Sequence, residues 1–332
     1  MGVMRWLADR LAPDRRGSGG PGRQLVAHDE PRIFRHWQRT HVEPLLHELG
    51  VADVATLFGH FLRDSASRTG NPAPRFLSLG AGDCRLELRL AKAFVGAGLE
   101  EFTFDCVEPD PLLRSRGRAA ALAQGLDRHV VGVDADPNTL RIRRRYDGVM
   151  ADGSLDRVVR LERLLDEVQR ALADDAWFVV SARIGRNGHL RWPEALAEVQ
   201  RVWSQLPPSH RWNHHLRRSQ PEFVDWDSSR VGDDGVRAQH VLPELLKRFS
   251  APWFAGFANV VDVFVGTALG PNFSPDAAWD REFIAAVHAR DEQLLTSGAL
   301  TPTRMVTVMA AGAEPVRVHA RGLAPEQCVR RG

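Results

Sequence analysis

The sequence predicts an α/β protein built on a doubly wound, mostly parallel sheet. Three observations carry that prediction. A short apolar run, Arg75–Leu79, ends in Gly80-Ala81-Gly82 and passes straight into a helical pattern. A second run ends in Asp105-Cys106-Val107-Glu108, which places an acid at a strand tip roughly 20 to 30 residues past the glycines. Strand and helix patterns then alternate to Ser181, the arrangement of successive βαβ units. Glycines let the backbone turn tightly and approach a ligand. A carboxylate at the tip of the second strand can take both hydroxyls of a ribose. Together they describe a nucleoside-binding unit.

The elements follow in order. Residues 1–28 read as a flexible N-terminus, because Gly17-Ser18-Gly19-Gly20-Pro21-Gly22 has a linker's composition. Residues 29–70 carry two helices. Asp29 can cap the first, Pro31 suits its first turn, and Ile33, Phe34, Trp37 and Leu45 form its stripe. The second, Val51–Ser67, carries Leu57, Phe58, Phe61 and Leu62. Residues 71–182 form the nucleoside-binding core. His129–Ala135 reads as a third strand ending in Asp134-Ala135. Tyr146–Asp152 reads as a fourth, ending in Ala151-Asp152, and Trp177–Ser181 as a fifth. The helix Val158–Leu172 joins the last two through Leu161, Leu164, Leu165 and Val168 at helical spacing.

Residues 183–250 read as an inserted cap. Asn187-Gly188 signals a turn and Pro193 opens a helix to Leu206. Pro207–Gly235 has neither helical nor strand period, yet holds Trp212, Trp226 and three histidines. Long irregular stretches inside compact domains are lids, binding loops or disorder, and the aromatic content opposes disorder. Val241–Phe249 reads as a helix. Residues 251–311 complete the core with a strand within Trp253–Val265, a helix opened by Ser274-Pro275 and stopped at Gly298, and a last strand, Met305–Met309. Residues 312–332 read as a polar, frayed tail.

Composition limits the function classes. The chain has 332 residues and 43% apolar content, enough for a sizeable core. Its net charge of +2 points neither to nucleic acid nor to an anionic membrane. Cys84, Cys106 and Cys328 have no paired or metal-type spacing. No apolar run approaches ~18 residues, so no membrane span is expected. Met1–Arg16 is broken by Asp9 and Arg10 and does not read as a secretory signal, so a cytoplasmic location is expected.

Two glycine patterns compete for the turn. A dinucleotide fingerprint needs a third glycine where the chain has Arg85, which disfavours a nicotinamide-dependent oxidoreductase. The shorter Gly80-x-Gly82, with Glu108, Asp134-Ala135 and Ala151-Asp152 at successive strand ends, resembles the motif series of class I S-adenosylmethionine-dependent methyltransferases. The stretches Arg186–Ala195, Phe223–Asp227, Gly235–Gln239 and Gly270–Phe273 resemble a poorly characterised, stand-alone bacterial subgroup of that family. The resemblance implies a seven-stranded sheet in the order 3-2-1-4-5-7-6 with the last strand antiparallel. It implies S-adenosylmethionine as cofactor, held by Gly80, Ala81, Gly82, Glu108, Pro109, Asp134, Ala135, Ala151 and Asp152. Three departures stand out. The family often has an acid at Ser78 and a glycine at Cys84. The subgroup tends to show Ser-Leu-His-His where this chain has Ser154-Leu155-Asp156-Arg157.

The implied activity is methyl transfer to a hydroxyl, or an amine, of a small-molecule or glycan-type acceptor. The alternative is a cofactor-binding but non-catalytic scaffold, which the altered motif permits. Transfer to a hydroxyl needs a proton acceptor, and histidine is the usual one near neutral pH. His189, at a turn just past the fifth strand, is the first candidate, followed by His214 and His215. Asp134 can read the adenine amine or cap the turn at Asp136-Pro137. Arg186, Arg191, Arg217, Arg230 and Arg237 are candidates to hold an anionic acceptor. His210 and His214 have i,i+4 spacing, but Pro207-Pro208 lies just upstream and no glutamate lies between them. No metal is expected.

Overall fold

Short apolar runs with both faces buried become the inner strands of one sheet. The computed structural model describes residues 30–230, 232–314 and 317–330. The expected flexible stretch 1–28 and the Asp29 cap fall outside the described residues. Central β1 (Arg75–Leu79) packs Phe76 into one apolar layer and Leu77 and Leu79 into the other. It is flanked in parallel by β2 (Thr103–Val107) and β4 (Gly148–Asp152). β3 (Val130–Val133) lies outside β2 and β5 (Trp177–Arg183) outside β4, again in parallel.

Past a small separate hairpin of β6 (Trp212–Asn213) and β7 (Arg218–Ser219) come β8 (Ser250–Phe257) and β9 (Arg304–Ala310). β9 inserts antiparallel between β5 and β8. The two-residue β10 (Val318–His319) adds in parallel outside β8, and the full order is β10-β8-β9-β5-β4-β1-β2-β3. Read from β3 to β8, seven of its strands keep the order that the family resemblance implies. The eighth comes from the segment expected to fray. That segment packs instead: Cys328 is buried and Arg330 pairs with Glu194.

Helices cover both faces. On one side α3 (Val54–Thr69) is capped by Asp53, which accepts from the Thr56 N–H at 2.6 Å, and stops at Gly70 in the left-handed region. α4 (Arg85–Gly96) follows the glycine turn, and α5 (Pro111–Ala123) is capped by Asp110. On the other side α6 (Leu161–Ala171) buries Leu161, Leu164, Leu165 and Val168 completely, each worth about 1.5–3 kcal/mol. Residues 183–250 contribute α7 (Pro193–Trp203) and α8 (Ala238–Leu246), and the C-terminal part α9 (Val260–Val265) and α10 (Ala278–Thr296). No helix among the described residues is long and apolar enough to cross a membrane.

The first helix departs from the sequence reading. Arg32–Trp37 and Glu43–His47 are α-helical, but Gln38–Val42 between them is a π-helical turn. Pro44 has no N–H for the Thr40 carbonyl, so the regular ladder breaks there. The C-terminal helix also begins later than its Ser274-Pro275 signal. The Asp280 carboxylate takes the Ser274 N–H, and the helix starts at Ala278.

Candidate active site

The glycine turn is built by backbone geometry. Gly80 and Gly82 have φ of 69° and 57°, and Cys84, at the family's third glycine position, adopts φ 59°. A side chain at Gly80 would collide with Ser154 Cβ at 2.5 Å, so glycine is required there. In front of Gly82 nothing lies within 4 Å of a virtual Cβ, which leaves room for a ligand. Glu108 ends β2 and fastens this turn: its carboxylate accepts from the Gly82 N–H and the Asp110 N–H, each at 2.9 Å. A carboxylate has about four acceptor positions, so two such bonds leave capacity for hydroxyls.

The acid expected at position 78 arrives from elsewhere. Ser78 Oγ donates to Glu87 Oε1 at 2.5 Å, and Glu87 extends from the first turn of α4. The helix thus returns a carboxylate to the strand end where the motif lacks one. Glu87 is buried, its Oε2 has no hydrogen-bond partner among the described residues, and burial pushes its carboxyl up to about 7.

A cavity of about 650 Å³ opens at the carboxyl ends of β4 and β5. Arg85, Leu86 and Arg89 of α4, Asp152 and Gly153 past β4, and Phe34 and Leu46 of the N-terminal helices line it. Asp156, Arg157, Arg183, Asp234 and Arg304 bring charge to its wall. Of the nine expected cofactor residues, Asp152 lines the cavity directly. Gly80, Ala81 and Gly82 form the turn just before Arg85. Glu108, Pro109, Asp134 and Ala135 lie at the neighbouring strand ends, outside this cavity, and Ala151 is buried within β4. Asp134 is exposed and pairs with Arg114 at 3.0 Å, while Asp136, not Asp134, caps the following turn.

Behind the wall stands His189. Gly188 (φ 67°) and His189 (φ 54°) are consecutive left-handed residues, a conformation costly for histidine. The Gly188 N–H is tied to the Gly235 carbonyl at 2.8 Å. Gly235 has no side chain to clash with the imidazole, which would lie 2.7 Å from a Cβ there. The result aims His189 Nε2 at Asp156 Oδ2 (3.5 Å) and Asp234 Oδ1 (3.4 Å). Asp156 is almost fully buried and its carboxyl is raised by burial, against the pull of His189 and Arg183. Burial opposes ionisation of Asp234 too, but His189, Arg183 and Arg157 outweigh it and hold that carboxyl well below the usual range. The three ligand atoms lie within 4.8 Å of one another, close enough to share a cation. Arg157 (3.3 Å) and Arg183 (3.8 Å) already supply positive charge to Asp234, which opposes a metal ion there.

The other sequence candidates stand elsewhere. His214 and His215 are exposed next to the β6–β7 hairpin, and His214 Nε2 contacts Asn272 Oδ1 at 2.9 Å. His210 lies in a 3₁₀ turn and bonds Asp280 at 2.9 Å, so its spacing to His214 is not that of an α-helix face. Arg186, Arg191, Arg217, Arg230 and Arg237 do not line the cavity; Arg230 pairs with Asp227 and Arg237 with Glu162. Among the cavity's arginines, Arg183 and Arg304 had no motif to flag them. Neither did Asp234, which one irregular loop brings beside His189.

No family model matches the chain, and no curated protein matches it. Solved structures do. A methyltransferase from Geobacter sulfurreducens in complex with S-adenosylhomocysteine is 13% identical, over 78% of this chain and 90% of that one, with a TM-score of 0.41. Geranyl diphosphate C-methyltransferase from Streptomyces coelicolor is 10% identical over 77% of each chain, with a TM-score of 0.43. Coclaurine N-methyltransferase is 17% identical with a TM-score of 0.31, and the match spans 34% of its length. The order of the strands stands independently of these likenesses. With β9 antiparallel between β5 and β8, and the glycine turn at the end of central β1, the chain has the class I methyltransferase fold.

Proposed function

We propose that the protein is an S-adenosylmethionine-dependent methyltransferase acting on a hydroxyl, or an amine, of a small-molecule or glycan-type acceptor. The observation that carries this reading is one cavity reached both by the helix that follows the glycine turn and by the carboxylates that contact His189. The cavity's volume of about 650 Å³ is that of a small-molecule site. The residues present fit the cofactor. Open space before Gly82 accepts its amino-acid part, the unpartnered Glu87 oxygen suits its ammonium, and Glu108 keeps acceptor capacity for its ribose.

When bound, the cofactor supplies a methyl group on a sulfonium, whose carbon–sulfur bond breaks as the acceptor–carbon bond forms, leaving the electron pair on sulfur. The protein holds the acceptor in line and takes its proton. Asp156 and Asp234 meet the acceptor at the cavity wall, and His189 behind them receives the proton. Calorimetry with S-adenosylhomocysteine and NAD tests the reading. Saturable binding of the first and none of the second is the expected result. NAD binding alone would replace the reading with a dehydrogenase, and cofactor binding without turnover of any acceptor would support the non-catalytic scaffold.

A further inference from the structure

A second cavity, of about 320 Å³, shares only Val42 and Phe257 with the first. Trp37, His41, His288, Glu48, Glu292 and Arg321 form the rest of its working surface. Several anomalies meet here. Arg321 is a non-glycine residue at φ 55°, followed by Gly322 at φ 67°. Such backbone is strained and persists only where its surroundings enforce it. The Arg321 side chain is 15% exposed, and its Nη1 and Nη2 have no hydrogen-bond partner among the described residues. Its Nε lies 2.9 Å from Glu292 Oε2, a charge contact that is not aligned as a hydrogen bond. Arg75 and Arg248, by contrast, each donate to a carboxylate. Two shielded Nη groups without a hydrogen-bond partner are expensive.

The cavity walls are aromatic. His288 Nδ1 accepts from Trp37 Nε1 at 3.4 Å, and the His41 ring lies 4.1 Å from that of His288. Burial lowers both histidines, His288 to about 4, so at neutral pH both are uncharged and Arg321 is the cavity's cation. His41 itself sits in the π-helical turn Gln38–Val42, a rare geometry that is frequent at functional sites.

We propose that this cavity is a second ligand site, for a small aromatic monocarboxylate whose two oxygens pair with Nη1 and Nη2 of Arg321. A planar carboxylate matches the fork of a guanidinium. Glu292 already faces Nε and Glu48 adds a second carboxylate, so what recommends a carboxylate ligand is the pair of unpartnered Nη donors, and this acidic lining repels a dianion more strongly than a monoanion. Trp37, His41 and His288 give the ring of the ligand flat surfaces to stack on. The inference does not depend on the proposed activity, because the cavity shares no residue with the Asp156–His189–Asp234 cluster.

The test titrates the full chain at fixed ionic strength with sodium benzoate and, separately, with inorganic phosphate, following the ring-proton resonances of His41 and His288. Benzoate should saturate and shift both rings, and phosphate should not. Arg321→Lys keeps the charge but loses the fork, and should weaken benzoate at least 10-fold. Arg321→Met should abolish binding, with a retained cooperative unfolding transition as the check that the variant folds. Failure of benzoate to saturate, equal binding by Arg321→Met, or saturation by phosphate instead would each overturn the proposal.

Discussion

Two parts of the proposed active site are assembled by different kinds of contact. The glycine-turn part comes from one continuous stretch: Ser78, Gly80, Gly82, Glu87 and Glu108 lie on β1, α4 and the tip of β2, and hydrogen bonds between near neighbours fix them. The proton-accepting part draws Asp156 from beyond β4, His189 from beyond β5 and Asp234 from an irregular loop. It is held by strained backbone at Gly188 and His189 and by a contact that Gly235 alone permits. The first part is locally encoded; the second exists only once the chain has folded. Substitutions in the second part should therefore disturb turnover without touching cofactor binding, and those in the first should do the reverse.

The largest effect tests that separation directly. His189→Ala should lower turnover about 10²–10⁴-fold, the range for a lost general base. S-adenosylhomocysteine affinity, read by calorimetry, should stay within a factor of about two, well under 1 kcal/mol. Asp156→Asn should behave alike. A His189→Ala enzyme that turns over normally removes the imidazole from the mechanism. One that also loses the cofactor erases the contrast between the two parts.

What the sequence disclosed follows the same division. The strands and the glycine turn were legible because short apolar runs and a Gly-x-Gly turn leave local signatures, while the strand order came from the family resemblance. Glu108 was legible for the same reason, as an acid at a strand tip. Glu87 was not, because an acid in the first turn of a helix reads as an ordinary dipole partner; only its bond to Ser78 shows that it stands in for a missing motif residue. His189 was singled out by its turn, but its carboxylate partners are products of long-range packing. Asp156 entered the sequence reading only as a departure from the subgroup's histidine. The β10 strand was missed because a two-residue pairing carries no period at all.

A second test sharpens the local part through pH. Glu87 has a folded carboxyl raised from 4.5 to about 7 by burial. The folded state therefore holds a proton that the unfolded state releases. The ligand-free protein should lose stability as pH rises from about 4.5 to 7, with the full penalty present above 7. One pKa unit corresponds to about 1.4 kcal/mol, which makes the loss from this group about 3–4 kcal/mol. Glu87→Gln should flatten that part of the profile in urea unfolding at pH 5 and 8. An unchanged slope means that the carboxylate is already compensated, which would also weaken its assignment to the cofactor's ammonium.

Glu108→Ala comes next. It removes the acceptor for the Gly82 and Asp110 N–H groups and, on the proposed reading, for the ribose. Cofactor binding should weaken by about 1–3 kcal/mol. Because loosening the turn would also weaken binding, the informative comparison is S-adenosylhomocysteine against a 2′-deoxy analogue. Wild type should prefer the hydroxylated ligand and Glu108→Ala should prefer neither. Equal preference in both proteins would leave Glu108 as a fastener of the turn alone.

The smallest effect concerns Asp134. Its exposed carboxylate pairs with Arg114 at 3.0 Å, an interaction worth at most about 1 kcal/mol at such exposure. Arg114 also donates to the carbonyls of Glu108 and Pro109, each at 2.7 Å, so the loop keeps its anchor when Asp134 changes. Asp134→Asn should therefore leave thermal stability within about 0.5 kcal/mol of wild type, as for most surface substitutions. If Asp134 accepts from the adenine amine, the variant should lose part of the preference for S-adenosylhomocysteine over its inosine counterpart, about 3- to 10-fold, the equivalent of one modest hydrogen bond. Identical preferences in the two proteins would mean that the base is read by other groups. Asp134 would then serve only to orient Arg114, and the locally encoded part of the site would end at Glu108.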